Sequence, residues 1–225
     1  MVDFYISGVE LCYDQNLKIM KKLIVLLLLV PGVISHAQTT KNDKIPVTTP
    51  SKSALAYYTE AMKNFDDVAL GKALNLLTKS LREDPDFFMA NYQTAIYYSW
   101  FGNVDKFKEY ATAASNCKAK LSPAEELLKS AITKLKENQT SDVTDIGRKL
   151  TAMYPKDPDS FGHLFYYQLF INDTIGGLET LKKELEITDN PAPVCNMLGY
   201  VYIGLKQYNE ADRWTFLNRN FKSTE

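Results

Sequence analysis

From residue 53 to the C-terminus, apolar residues recur three and four places apart, glycine is scarce, and proline falls at the ends of the apolar runs. That spacing lays one apolar stripe along an α-helix; a half-buried strand needs strict alternation, which no segment shows. The pattern also repeats. Residues 192–225, APVCNMLGYVYIGLKQYNEADRWTFLNRNFKSTE, hold two apolar runs parted by a polar turn and are 34 residues long. Steps of 34 back from residue 192 reach units beginning near 158 and 124, with Phe161, Leu164, Phe165 and Leu181, then Leu127, Ala131 and Leu150, at core places. A two-residue insertion near Leu121–Pro123 shifts the frame, and further units begin near 88 and 54. Five helix–turn–helix units over residues 53–225 are predicted.

The residue types fit such pairs. Ala61, Ala95, Ala131 and Gly199 stand at one place in the first helices, and Ala73 and Ala211 at one place in the second, where small side chains let two helices approach. Gly102 sits at a turn, where a positive φ is cheap for glycine. Prolines at unit junctions stop a helix, having no N–H to donate. In the last unit, Leu198-Gly199, Tyr202, Tyr208 and Ala211 resemble the tetratricopeptide repeat. The resemblance implies an all-α fold, a right-handed α–α superhelix of about five repeats. The middle units depart from it: Val143 and Gly177 stand where alanine is usual, Phe165 where glycine or alanine is usual, and Asn138 and Asn172 at the turn glycine. A generic α–α superhelix is the fallback; a plain bundle would not keep a 34-residue register.

The resemblance also implies that ligand contacts come from the first helices, here Tyr58, Met62, Tyr92, Ile96, Trp100, Tyr166, Phe170 and Tyr200. Aromatic side chains are rigid anchors for a peptide. The competing reading places the same aromatics between units, as core. A clamp for a peptide's terminal carboxylate, known in the family, would have only Lys136 and Asn196 to draw on.

Ahead of the repeats lies MKKLIVLLLLVPGVISHAQ, residues 20–38. Lys21 and Lys22, the apolar run Leu23–Val30, the Pro31-Gly32 break and the small Ser35 and Ala37 have the order of a secretory signal, cut near Ala37/Gln38. A membrane-spanning helix needs about 20 apolar residues, more than this run supplies. Residues 20–37 are therefore read as a cleaved signal and residues 1–19, which carry Asp3, Glu10 and Asp14, as a non-native upstream extension. Residues 38–52, polar and with two prolines, read as a flexible linker.

Charge and chemistry narrow the function. The formal net charge is −1, which gives no broad field for nucleic acid, and no membrane insertion of the mature chain is expected. Of two histidines only His163 lies beyond the signal, and Cys117 and Cys195, three units apart, are not expected to pair. Glu83-Asp84-Pro85-Asp86 and Lys156-Asp157-Pro158-Asp159 fall at unit junctions, where Asp is expected to cap the next helix. No catalytic set, metal-ligand spacing or phosphate loop is present, so no cofactor is expected. The reading is a non-catalytic scaffold, periplasmic or secreted, for a protein or peptide. The alternative is the repeat region of a larger protein, such as an enzyme or envelope-complex subunit.

Overall fold

A computed structural model describes residues 43–222, with side chains up to Thr215. The signal and the upstream extension lie outside the described residues. Ten helices follow one another without a strand among the described residues: α1 (Lys52–Asp66), α2 (Leu70–Glu83), α3 (Phe88–Trp100), α4 (Val104–Ser115), α5 (Pro123–Glu137), α6 (Thr144–Met153), α7 (Pro158–Phe170), α8 (Thr174–Ile187), α9 (Pro191–Gly204) and α10 (Tyr208–Lys222). They form five successive pairs, four of them packed chiefly on themselves, in an all-α superhelical array.

Local chemistry fixes the boundaries. Ser51 caps α1, Asn103 caps α4 and Asp173 caps α8, each accepting a backbone N–H of the first turn. Ser122 and Glu125 form a reciprocal capping box on α5, with Pro123 just inside. Pro158 and Pro191 also sit at helix starts, so they open the fourth and fifth units rather than close the units before them.

The turns inside the pairs carry the period. Val68, Gly102, Asn172 and Lys206 all have φ near +60°; the first two and the last two are 34 residues apart, and Gly102 and Asn172 are separated by two periods plus the two-residue insertion. Only one is glycine. Asn tolerates the left-handed region, whereas Val68 is β-branched and strained there. The third pair breaks the rule: Asn138 has φ −146°, and residues 138–143 make a longer connection. Its α6 leaves α5 and packs chiefly on α7. Gly147 is the reason, because a Cβ there would lie 2.8 Å from the Leu164 Cα.

Two of the departures in sequence compensate each other. Phe165 fills the place of a small residue in α7, and the opposing Gly177 in α8 has no side chain; a Cβ at Gly177 would meet the Phe165 ring at 3.3 Å. The core divides at this helix. Tyr167 joins the apolar cluster of the first three units, while Phe165 joins a second cluster with Leu178, Leu181, Val194, Leu198, Tyr202 and Ala211.

The segment before α1 departs from the linker reading. Residues 43–51 form a strap along one end of the array. The Ile45 N–H donates to Asp157 (2.7 Å), the Thr48 N–H and hydroxyl to Glu125 (2.8 Å), and the Thr49 hydroxyl to Asp84 (2.6 Å). Ile45 itself is buried. A chain with this composition has no apolar period, so the anchoring comes from carboxylates far along the sequence.

Candidate functional site

The inner face is made by α1, α3 and α7. Tyr92 of α3 reaches α7, its hydroxyl 2.9 Å from that of Tyr167 and 3.2 Å from His163 Nδ1. All three groups are buried. Loss of hydration pushes the Tyr92 and Tyr167 hydroxyls up and the His163 imidazole down to about 4. His163 is therefore a neutral hydrogen-bonding partner at pH 7, part of the packing between the second and fourth units.

Toward the turn end of these helices the aromatic surface opens. Trp100 lies 4.8 Å from Tyr166 and 6.3 Å from Phe65, and Tyr97 lies 4.8 Å from Phe101, ring centre to ring centre. Trp100 is 37% exposed and Phe101 58%.

The eight residues expected to contact ligand part company. Tyr58, Tyr92 and Ile96 are core: Tyr58 packs 5.3 Å from Phe87, and Ile96 is 1% exposed. They are unavailable to a peptide, because α3 and α7 meet directly and bury what would otherwise be groove. Met62, Tyr166 and Phe170 are half-buried. Trp100 and Tyr200 reach solvent, Tyr200 (59% exposed) alone on α9. Phe65, Tyr97 and Phe101 were not among the expected contacts; the dense run Tyr97-Tyr98-Ser99-Trp100-Phe101 is the signal that could have found them. Cys117 and Cys195 are both free and buried, and Cys195 lies in the core.

Carboxylates on three helices have raised proton affinities. Asp66 ends α1, Asp159 lies in the first turn of α7, and Glu184 lies in α8. Asp66 and Asp159 are exposed, and Glu184 is half-buried. Loss of hydration pushes Asp66 up to about 6, with the charge of Asp67 second. The same cause pushes Asp159 up to about 6, with Asp157 and Asp66 adding and Lys44 opposing. Glu184 rises to about 8, first from burial and then from the charges of Asp159, Asp66 and Asp157. Only one junction cluster caps as expected. Asp157 caps α7 and also holds Ile45 of the strap. Asp86 instead accepts the Lys118 N–H at 3.0 Å, and no side chain caps α3. Among the described residues, no group of His, Cys, Asp and Glu is placed to hold a metal ion.

The helices bearing the site are the first helices of each pair, set by the 34-residue recurrence of left-handed turns and by small residues where the two helices touch. The chain folds as a tetratricopeptide-like array. No protein-family model matches the sequence, and no curated protein does. Solved structures that it is similar to include MamA, residue 41 to the end, from Desulfovibrio magneticus RS-1, with a TM-score of 0.42 and 14% identity over 79% of this chain and 99% of that one. A tetratricopeptide repeat protein from Parabacteroides merdae ATCC 43184 gives 0.45 and 15% over 76% and 66%. PilW, a widely conserved type IV pilus biogenesis factor, gives 0.44 and 16% over 77% and 79%. The tetratricopeptide-like array of this chain differs from a bare one in its strap and in the direct meeting of α3 with α7.

Proposed function

We propose that the protein is an exported, non-catalytic scaffold that binds a protein or peptide segment at the turn end of its inner face. The observation that carries this reading is the open aromatic surface of Trp100, Phe101, Tyr97, Tyr166 and Phe65, rings that touch one another and still reach solvent. Large rigid rings bury much area for little lost freedom, which suits an anchor site. The signal-like stretch at residues 20–37 supports a periplasmic or secreted location. No helix among the described residues is long and apolar enough to cross a membrane.

The test is capture from cell-envelope extract by the wild-type chain and by a Trp100→Ala, Phe101→Ala double variant. The reading expects a partner held by the wild type and lost from the variant at an unchanged melting temperature. Equal capture by both sinks it.

A further inference from the structure

The strap's three anchors stand at the starts of three successive first helices. Asp84 closes α2 just ahead of α3, Glu125 lies in the first turn of α5, and Asp157 caps α7. The Thr49 hydroxyl donates to Asp84 at 2.6 Å and the Ile45 N–H to Asp157 at 2.7 Å. Four residues separate Thr49 from Ile45, so the docked strap limits the span between these two anchors to roughly 14 Å of chain. It therefore ties the start of α7 to the start of α3. Along the inner face the same two helices meet through side chains, Tyr92 with Tyr167 and His163, and Trp100 with Tyr166. Tyr92, Ile96 and Trp100 follow one another at four-residue steps and share one face of α3. The outer two touch α7, so Ile96 is enclosed between them, 1% exposed. Both attachments are ones that water can replace. Ile45 is the strap's one buried residue, and its other holds are hydrogen bonds to carboxylates. Between α3 and α7 the buried polar groups are two hydroxyls and an imidazole. On parting, each of these groups exchanges its partner for water, and none is left orphaned.

We propose that residues 43–51 are an autoinhibitory clasp: docked, they hold α3 against α7 and close the inner face; freed, they let the two helices part. Parting carries the open surface of Trp100 and Tyr166 down to Ile96 and Tyr92. Eight helical residues at 1.5 Å each lengthen the site by about 12 Å, room for three or four more residues of an extended segment. The inference rests on the scaffold reading for its partner and adds the regulation of that same site. The clasp and the exposed rings lie at opposite ends of the first helices, so a segment bound at the turn end does not itself dislodge the strap.

The test frees the strap in the full chain with Ile45→Asp and Thr48→Pro, which remove the buried side chain and the donors to Glu125 and leave every residue of the array unchanged. Tetranitromethane nitrates accessible tyrosine rings, and mass spectrometry reads each site. Tyr92 and Tyr167 are expected to react at least about tenfold faster in the variant, with amide exchange inside α3 and α7 still slow. An excess of the strap peptide, acetyl-Asp-Lys-Ile-Pro-Val-Thr-Thr-amide, should restore their protection in the variant and change nothing in the wild type. Tyr92 and Tyr167 as protected in the variant as in the wild type overturn the clasp. Fast nitration together with fast amide exchange throughout α3 and α7 overturns it as well, since that is unfolding and not parting. Envelope capture separates the two proposals: capture that freeing the strap does not increase defeats only the autoinhibition, and parting without capture by either protein defeats only the scaffold.

Discussion

Gly147 and Gly162 are both glycines inside helices, on the touching pair α6 and α7, yet the same substitution should move them in opposite directions. A Cβ at Gly147 would lie 2.8 Å from the Leu164 Cα, 2.9 Å from its Cδ1 and 3.0 Å from its Cβ. Carbon atoms in ordinary contact sit about 3.5–4.0 Å apart, so Gly147→Ala overlaps by close to an ångström with atoms of which one is backbone. The helices must separate, and because a backbone atom is among those met the cost lies at the upper end of the overpacking range, about 2–3 kcal/mol. Alanine returns about 1 kcal/mol through helix propensity, leaving a net loss of about 1–2 kcal/mol. Nothing lies within 4 Å of a Cβ at Gly162, so Gly162→Ala keeps the propensity gain alone. For a chain of this size the expected shifts in melting temperature are about 3–6 °C down for the first and 2–4 °C up for the second. Thermal and urea unfolding followed by circular dichroism measure both. A Gly147→Ala protein as stable as wild type would refute the account of why α6 leaves its own partner for α7.

Three further outcomes are expected. Val68→Gly should raise stability by about 1 kcal/mol, because a β-branched residue is replaced at φ 59° by one that enters that region freely; an unchanged or lower urea midpoint would count against it. Glu125→Gln should cost about 1–3 kcal/mol, since the carboxylate holds both Thr48 and the Ser122 N–H, and amide exchange at Ile45 and Thr48 should quicken selectively. Glu184 titrates near 8 when folded and lower when unfolded, so the folded chain binds more protons between. Its contribution is complete at low pH and is lost as pH rises through 8, so stability should fall from about pH 5 to 8, and Glu184→Gln should flatten that slope. A steeper slope in the variant would reverse the sign assigned to this residue.

The spacing of apolar residues was enough to see the pairs, because helix packing leaves a mark at every third or fourth position. The small residues at Ala61, Ala95, Ala131 and Gly199 were legible for the same reason: close approach tolerates few side chains. Val68 and Lys206 were not, since neither residue type advertises a left-handed turn. Phe165 and Gly177 looked like two faults and are one fit, visible only when the opposing helices are seen together. The inner face was half legible. Its aromatic character could be read from the repeat, but whether a ring is groove or core depends on how far the array closes on itself. Contact between α3 and α7 buries Tyr92 and leaves Trp100 open, and no local pattern encodes that. The strap escaped for a simpler reason: its partners Glu125 and Asp157 are 77 and 112 residues away from the groups they hold.

That separation has a consequence for how the chain is made. Repeat arrays fold by adding each unit to its neighbour, so early units are complete before later ones exist. Here the strap emerges first and its anchor Asp157 appears 112 residues later, on the order of 6–20 s at common synthesis rates. Through that interval Ile45 has no place to bury and the first unit lacks its tie to the fourth. Closure therefore waits for the fourth unit, however early the units before it have folded.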